Sequence, residues 1–125
     1  MPGIELKTTA RDGHVVVALR GELDVCGAAD VEAAIAAVMV PGQSLIIDMS
    51  ALDFMDCASL GALLRVQGLA RSFGGDVVMA APSRRARRLL VLTGQDQVFR
   101  VHPSVEAAVV SIGSRRRLPA VTGPR

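Results

Sequence analysis

Aromatic residues are almost absent from this sequence of 125 residues, which has no tryptophan, no tyrosine and three phenylalanines. Proteins that bind single-stranded nucleic acid stack its bases on aromatic side chains, and no recognised DNA- or RNA-binding motif is present. The sequence therefore argues against direct contact with nucleic acid. Lysine is also scarce, since Lys7 is the single lysine and the other basic residues are all arginines.

Long apolar runs are missing too. No stretch approaches the 18 or more consecutive apolar residues that indicate a membrane-spanning helix. The first residues, MPGIELK, do not combine a basic region with an apolar one, so we expect no signal peptide. These absences predict a soluble cytoplasmic protein that does not enter a membrane.

Cysteine occurs twice, as Cys26 and Cys57, without a C-x-x-C spacing. This usage argues against a disulfide framework or a zinc site, and we expect Cys57 to be a small, buried side chain and not a redox-active thiol. The two histidines, His14 and His102, are far apart and do not have the spacing of metal ligands. No dinucleotide, P-loop or nucleophile-elbow motif is present. The sequence therefore predicts a protein that is not an enzyme and that needs no metal and no cofactor.

Charge is distributed unevenly along the chain. Residues 1–62 contain nine acidic and three basic side chains, whereas residues 63–125 contain eleven arginines and three acidic side chains. Such a dipole favours an electrostatically guided protein partner. Four of the arginines lie within Arg84–Arg88. They form either a solvated helix face or a contact for an acidic partner.

Hydrophobic periodicity predicts a single α/β domain. Asp12-Gly13 between two strand-like runs indicates an N-terminal β-hairpin. A short apolar run, Leu45–Ile47, is typical of a strand buried on both faces. Strand–helix–strand repeats then indicate parallel pairing. We expect a mixed sheet and about four helices; the later expected elements are helix 27–40, strand 44–48, helix 59–73, strand 76–81, a helix after Ser83, strand 97–101 and a helix after Pro103.

Domain boundaries follow from the same pattern. We expect one domain over residues 1–112. Residues 113–125 are basic and contain proline, which predicts a disordered tail.

The stretch Asp56-Cys57-Ala58-Ser59 is the most promising place for function. It follows the buried strand and opens the second predicted helix. A helix start presents unpaired N–H groups and a partial positive charge, so it attracts anions. Further along that helix, Gly61, Arg65, Gly68 and Ser72 share one narrow face. Either a neighbouring helix packs closely there, or the strip is a shallow surface for a partner.

Four short segments, in this order and spacing, resemble the STAS domain of bacterial anti-sigma factor antagonists over Ile4 to Ile112. They are Gly21–Asp24, Ile47–Ser50, Phe54–Asp56 running into Leu60-Gly61, and Leu92–Gly94 followed by Val98-Phe99. The resemblance implies a regulatory, non-catalytic binding module in transcriptional signalling. Its partner would be an anti-sigma factor that is also a serine kinase, and that kinase inactivates the antagonist by phosphorylating a Ser or Thr at the start of the second helix.

The sequence departs from the family at this switch. The position that matches the phosphoacceptor is Ala58, which has no hydroxyl, and Ser59 follows in the usual glycine position. Either the protein lacks the usual switch, or Ser59 is a displaced acceptor; the structural alternative for Ser59 is a helix cap. The resemblance implies that the partner contacts Asp24, Asp56, Cys57, Ala58, Ser59, Leu60, Gly61 and Arg65.

Asp24 and Asp56 have a second interpretation, because aspartate readily caps backbone N–H groups at turns. Other functions also stay open at this point. A STAS module that senses a small ligand or nucleotide is one alternative, and a scaffold piece of a larger signalling complex is another. The sequence does not indicate the identity of the anti-sigma factor or the oligomeric state.

Overall fold

The computed structural model describes the backbone of residues 3–122 and the side chains of residues 3–113. A five-stranded sheet has the strands in sequence order, with β1 antiparallel to β2 and the other neighbouring pairs parallel. The strands are β1 Ile4–Arg11, β2 His14–Leu23, β3 Leu45–Met55, β4 Val77–Ala80 and β5 Val101–His102. The expected mixed sheet is confirmed.

The hairpin between β1 and β2 turns at Asp12-Gly13. Both residues have positive φ angles, +50° and +81°, and Arg11 pairs with His14 across them. This is the geometry of a two-residue turn with a left-handed backbone, for which Asp-Gly is a preferred sequence. The hairpin prediction is therefore confirmed at the expected residues.

Four α-helices cover the sheet: α1 Val25–Val38, α2 Cys57–Ser72, α3 Arg84–Leu92 and α4 Val105–Thr122. Each parallel strand lies next to the preceding one, so right-handed crossovers place α1, α2 and α3 on the same face. The larger core forms there, between alternate strand residues such as Val17, Ile47 and Met79 and these three helices. The smaller core lies on the opposite face, where Val16, Ile46 and Val78 contact α4.

The strand β3 is longer than expected. We predicted a strand over residues 44–48, but β3 continues to Met55. Pairing with β4 ends at Asp48, whereas pairing with β2 continues, through two irregularities in register, to Leu23↔Met55. Beyond Asp48, β3 is paired with β2 but not with β4. This extension brings the start of α2 beside the end of β2.

Helix starts also differ from the expectation by two residues. The helices α1 and α2 begin at Val25 and Cys57, whereas we expected residues 27 and 59. The reason is capping, because Asp24 and Asp56 accept backbone N–H groups and let each helix begin directly after them.

The predicted strand over residues 97–101 is wrong in extent. A 3-10 turn occupies Gln95–Gln97, and β5 consists of Val101–His102 only. Phe99 is 2% exposed and its N–H donates to the Gln95 carbonyl, so this segment turns inward instead of extending along the sheet.

The C-terminal boundary also differs from the expectation. α4 runs to Thr122, so the expected boundary between residues 112 and 113 lies inside a helix. Residues 123–125 of the expected tail lie outside the described residues. No helix in residues 3–122 is long and apolar enough to cross a membrane.

Candidate functional site: two adjacent helix starts

The starts of α1 and α2 lie side by side at the carboxyl-terminal ends of the neighbouring strands β2 and β3. β2 and β3 are parallel, and their last residues, Leu23 and Met55, are paired. The next residues, Asp24 and Asp56, are the N-caps of the two helices. Two helix N-termini with their positive dipole ends, each capped by a carboxylate, therefore form one surface.

Asp56 connects the two helices. Its Oδ1 accepts hydrogen bonds from the Ser59 N–H at 2.9 Å and the Ser59 hydroxyl at 2.7 Å, and its Oδ2 accepts the Val25 N–H at 3.1 Å. Burial acts to raise the pKa of Asp56, but the hydrogen bonds from Ser59 and Val25 outweigh it and lower the pKa below its ordinary value. The carboxylate is consequently charged at neutral pH and fixed in position.

Asp24 has a simpler role in the described structure. Its side chain accepts the Cys26 N–H at 3.0 Å, which caps the first turn of α1. The capping interpretation is thus confirmed for both aspartates. Because both side chains are half-buried, each still presents part of its surface for a contact.

Ser59 lies beneath the surface. Its side chain has no exposed area, and its Oγ is 2.7 Å from both the Leu23 carbonyl oxygen and the Asp56 carboxylate. A hydroxyl has one proton to donate, so the two acceptors share it. Ser59 is the third residue of α2, and this first-turn role ties the helix to the end of β2.

Four exposed residues form the outer layer of this site, and we call them the helix-start surface: Val25, Cys26, Cys57 and Ala58. The expectation that Cys57 is buried was wrong, because the side chains of both Cys26 and Cys57 are exposed at the helix starts. Val25 is 67% exposed and was not among the predicted site residues. The sequence signal that could have identified Val25 is its position directly after the capping Asp24, which matches the position of Cys57 directly after Asp56.

The remaining predicted contact residues divide by burial. Leu60 is 3% exposed and belongs to the main core, so it supports the surface from below. Gly61 is half-buried, and Arg65 is exposed, with its Nε donating to Glu32 of α1 at 2.9 Å. Ser59 and Leu60 are therefore inaccessible to a rigid partner, whereas Gly61 and Arg65 continue the surface along α2.

The glycine strip on α2 is open. A Cβ built on Gly68 meets no atom within 4 Å, and on Gly61 it meets only the Arg65 guanidinium at 3.6 Å. Close packing of a neighbouring helix does not explain these glycines.

The side chains of residues 3–113 contain no candidate metal site. No group of three or more His, Cys, Asp or Glu side chains in this range is placed to hold a metal ion. The helix-start surface consists of small or apolar exposed side chains, and the fixed carboxylates of Asp24 and Asp56 lie beside it. This combination suits the docking of a protein.

The sequence and the fold match a known family. The model of the STAS domain family matches residues 5–108. The chain belongs to the STAS domain family. Among its STAS relatives, the anti-sigma-F factor antagonist RsfA of Mycobacterium tuberculosis is 29% identical over 109 residues, which are 83% of this chain and 85% of the relative.

Solved STAS structures show the same architecture. An anti-sigma factor antagonist from Mycobacterium paratuberculosis superposes with a TM-score of 0.79 at 30% identity, covering 90% of this chain and 97% of that chain. The Bacillus cell fate determinant SpoIIAA in its phosphorylated form gives a TM-score of 0.63 at 23% identity, covering 87% of this chain and 98% of that one. This second likeness is one of fold.

Proposed function

We propose that this STAS protein is an anti-sigma factor antagonist, which binds a kinase-type anti-sigma factor and thereby regulates sigma-factor-dependent transcription. Support comes from relatives named as anti-sigma factor antagonists at 29% and 30% identity over most of the chain. The protein acts in the cytoplasm through protein–protein contact, without catalysis, without a cofactor and without touching nucleic acid itself.

The helix-start surface is the proposed docking site. Two fixed carboxylates, Asp24 and Asp56, flank small exposed side chains at Cys57 and Ala58, and the open strip at Gly61 and Arg65 extends from them. Small side chains let a partner backbone approach closely, and the exposed Val25 adds an apolar contact.

Loss of the usual phosphoswitch is the second part of the proposal. The family resemblance places the acceptor at Ala58, whose methyl group cannot be phosphorylated. The observation that carries this part is the burial of Ser59, because its hydroxyl has no exposed area and is already bonded to Leu23 and Asp56. A kinase would have to unfold the first turn of α2 to reach it. Binding is therefore constitutive or controlled by another route.

The partner contact is tested by placing a charge on the proposed surface. In Ala58→Glu, the carboxylate lies in the first turn of α2, where the helix dipole tolerates it, so the protein still folds. We expect affinity for the anti-sigma factor, first captured by pull-down and then purified, to fall at least about tenfold in calorimetry, because an unmatched interfacial charge costs several kcal/mol. The matched control is Ala33→Glu at an exposed alanine of α1. Equal affinities for the two variants would contradict the docking site.

Phosphorylation is tested with the same purified pair. The protein is incubated with the kinase-type anti-sigma factor and ATP and then mapped by mass spectrometry, with an Ala58→Ser variant as the positive control. We expect phosphate on residue 58 of that variant and none on the wild type. Phosphate on Ser59 of the wild type would show that the displaced acceptor is used.

A further inference from the structure

A second feature of the molecule is a groove beside the N-terminal half of α3. Arg84, Arg85 and Arg88 form one wall of a cavity of about 490 Å³, and its opposite wall is Ser50, Leu52 and Asp53 of β3. We call it the arginine groove. All three arginines are exposed.

None of the three arginines is neutralised within the described part of the chain. The ion pairs there involve Arg11, Arg65 and Arg71 instead. Positive charge is also placed unfavourably at this end of a helix, because the N-terminal end of the helix dipole is itself positive. The first five residues of α3 hold four arginines without an ion pair to any described side chain, and three of them line the groove. Local rules are often broken at functional sites, so this arrangement favours an external anionic group.

The arginine groove adjoins the helix-start surface. Pairing between β3 and β4 ends at Asp48, which leaves the extended part of β3 free to form the wall of the groove. Asp53 lies three residues before Asp56, so the groove begins roughly 10 Å along the strand from the capping carboxylate. The starts of α1, α2 and α3 all follow parallel strands and share one edge of the sheet. One partner of ordinary size therefore reaches both surfaces.

We propose that the arginine groove is a second contact site for the same anti-sigma factor and that it receives an acidic segment of that protein. This inference rests on the proposed function and names the chemistry of the partner. Guanidinium groups bind carboxylates in a paired, planar geometry. The negative charge of Asp53 repels the phosphates of a phosphate-rich ligand, whereas its carboxylate can accept hydrogen bonds from the N–H groups of a peptide. The groove residues include no aromatic side chain on which a base stacks.

The experiment compares two double variants that remove the same charge. The variant Arg85→Gln/Arg88→Gln removes two of the three positively charged side chains that line the groove. Arg87→Gln/Arg100→Gln removes two exposed cations that line a different cavity, next to Asp96 and His102. All four are surface residues, so both proteins fold, which circular dichroism checks. Association rates with the purified anti-sigma factor are measured by surface plasmon resonance at 50 and 300 mM NaCl.

We expect the groove variant to associate about tenfold more slowly at 50 mM NaCl and to lose most of its salt dependence, because charge complementarity mainly raises association rates. The control variant should stay within about twofold of the wild type. Equal slowing of both variants would assign the effect to net charge and overturn the inference.

Further outcomes separate this inference from the proposed function. Unchanged rates for the groove variant, with Ala58→Glu still defective, would remove the second contact and leave the docking site intact. Failure of the wild type to bind would contradict both the second contact site and the proposed docking site.

ATP and a 20-nucleotide single strand of DNA are titrated in parallel. If either binds the wild type but not the groove variant, while the rates with the protein partner are unchanged, the groove belongs to that ligand instead.

Discussion

The Oδ2 atom of Asp56 accepts the backbone N–H of Val25 at 3.1 Å, although 31 residues separate them. One carboxylate thus caps its own helix α2 and also takes up an N–H group in the first turn of α1. Together with the pairing of Leu23 with Met55 and the bond from Ser59 to Leu23, this side chain holds the two helix starts beside each other and so shapes the helix-start surface.

This relationship predicts how stability depends on pH. The pKa of Asp56 is lowered in the folded protein from an ordinary value of 3.8. Its contribution to the free energy of unfolding is therefore complete above the pKa of the unfolded chain and is lost as pH falls through the folded pKa. In Asp56→Asn, the side chain no longer offers two acceptor oxygens, and we expect a loss of about 1–3 kcal/mol at pH 7.

Urea unfolding at pH 7, 5 and 3 measures this loss. The difference between wild type and Asp56→Asn should shrink towards pH 3, because the wild-type carboxyl then begins to protonate. Asp24→Asn is the control, since Asp24 caps α1 through one hydrogen bond and not three, and its effect should be smaller at pH 7. A difference that is constant across the pH range would contradict the role assigned to Asp56.

Ser59→Ala is predicted to destabilise the fold without affecting the outer surface. Removal of the buried hydroxyl breaks its hydrogen bonds to the Asp56 carboxylate and to the Leu23 carbonyl, which keeps the Asp56 N–H as a donor at 3.3 Å. The lost hydrogen bonding costs about 0.5–1.5 kcal/mol. Ser72→Ala is the matched control: its hydroxyl also bonds a carbonyl of α2, that of Leu69 at 2.6 Å, but it is exposed to water. Denaturant midpoints should fall for Ser59→Ala and stay nearly constant for Ser72→Ala. Equal shifts would mean that burial is not the deciding factor.

Two glycine substitutions are expected to act in opposite directions. Gly68→Ala adds a methyl group where no atom lies within 4 Å, inside a helix, so stability should rise by about 1 kcal/mol. In Gly75→Ala, the new Cβ would collide with the backbone carbonyl of Gln43, and the loop must shift. Thermal melting should show a higher midpoint for the first variant and a clearly lower one for the second; a gain at both positions would contradict the close approach at Gly75.

Arg65→Ala should weaken partner binding while hardly changing stability. Its ion pair with Glu32 is exposed, with 61% and 32% of the two side chains accessible, and surface pairs contribute roughly 0–1 kcal/mol. Arg11→Ala breaks a comparable surface pair with Glu106 at the far end of β1. We expect similar unfolding free energies for both variants and reduced affinity for the anti-sigma factor only in Arg65→Ala. Reduced affinity in both would point to long-range charge and not to contact.

Local chemistry was enough to predict much of the fold. The turn at Asp12-Gly13, the cap of α3 at Ser83 and the apolar stripes of the helices depend on neighbouring residues, so they are visible in the sequence. Capping by Asp24 and Asp56 was one of two interpretations for the same reason, although both helices begin two residues earlier than expected. Their capping bonds within α1 and α2 span only two or three residues.

Contacts between distant residues decided the rest. The extension of β3 depends on pairing with β2, and the inward turn at Phe99 depends on the core that receives it. The burial of Ser59 depends on the Leu23 carbonyl, 36 residues earlier. By itself the sequence determined that Ala58 carries no hydroxyl. Only the tertiary structure decided that the hydroxyl of Ser59 is enclosed, because two chain segments had to meet for it to find its acceptors.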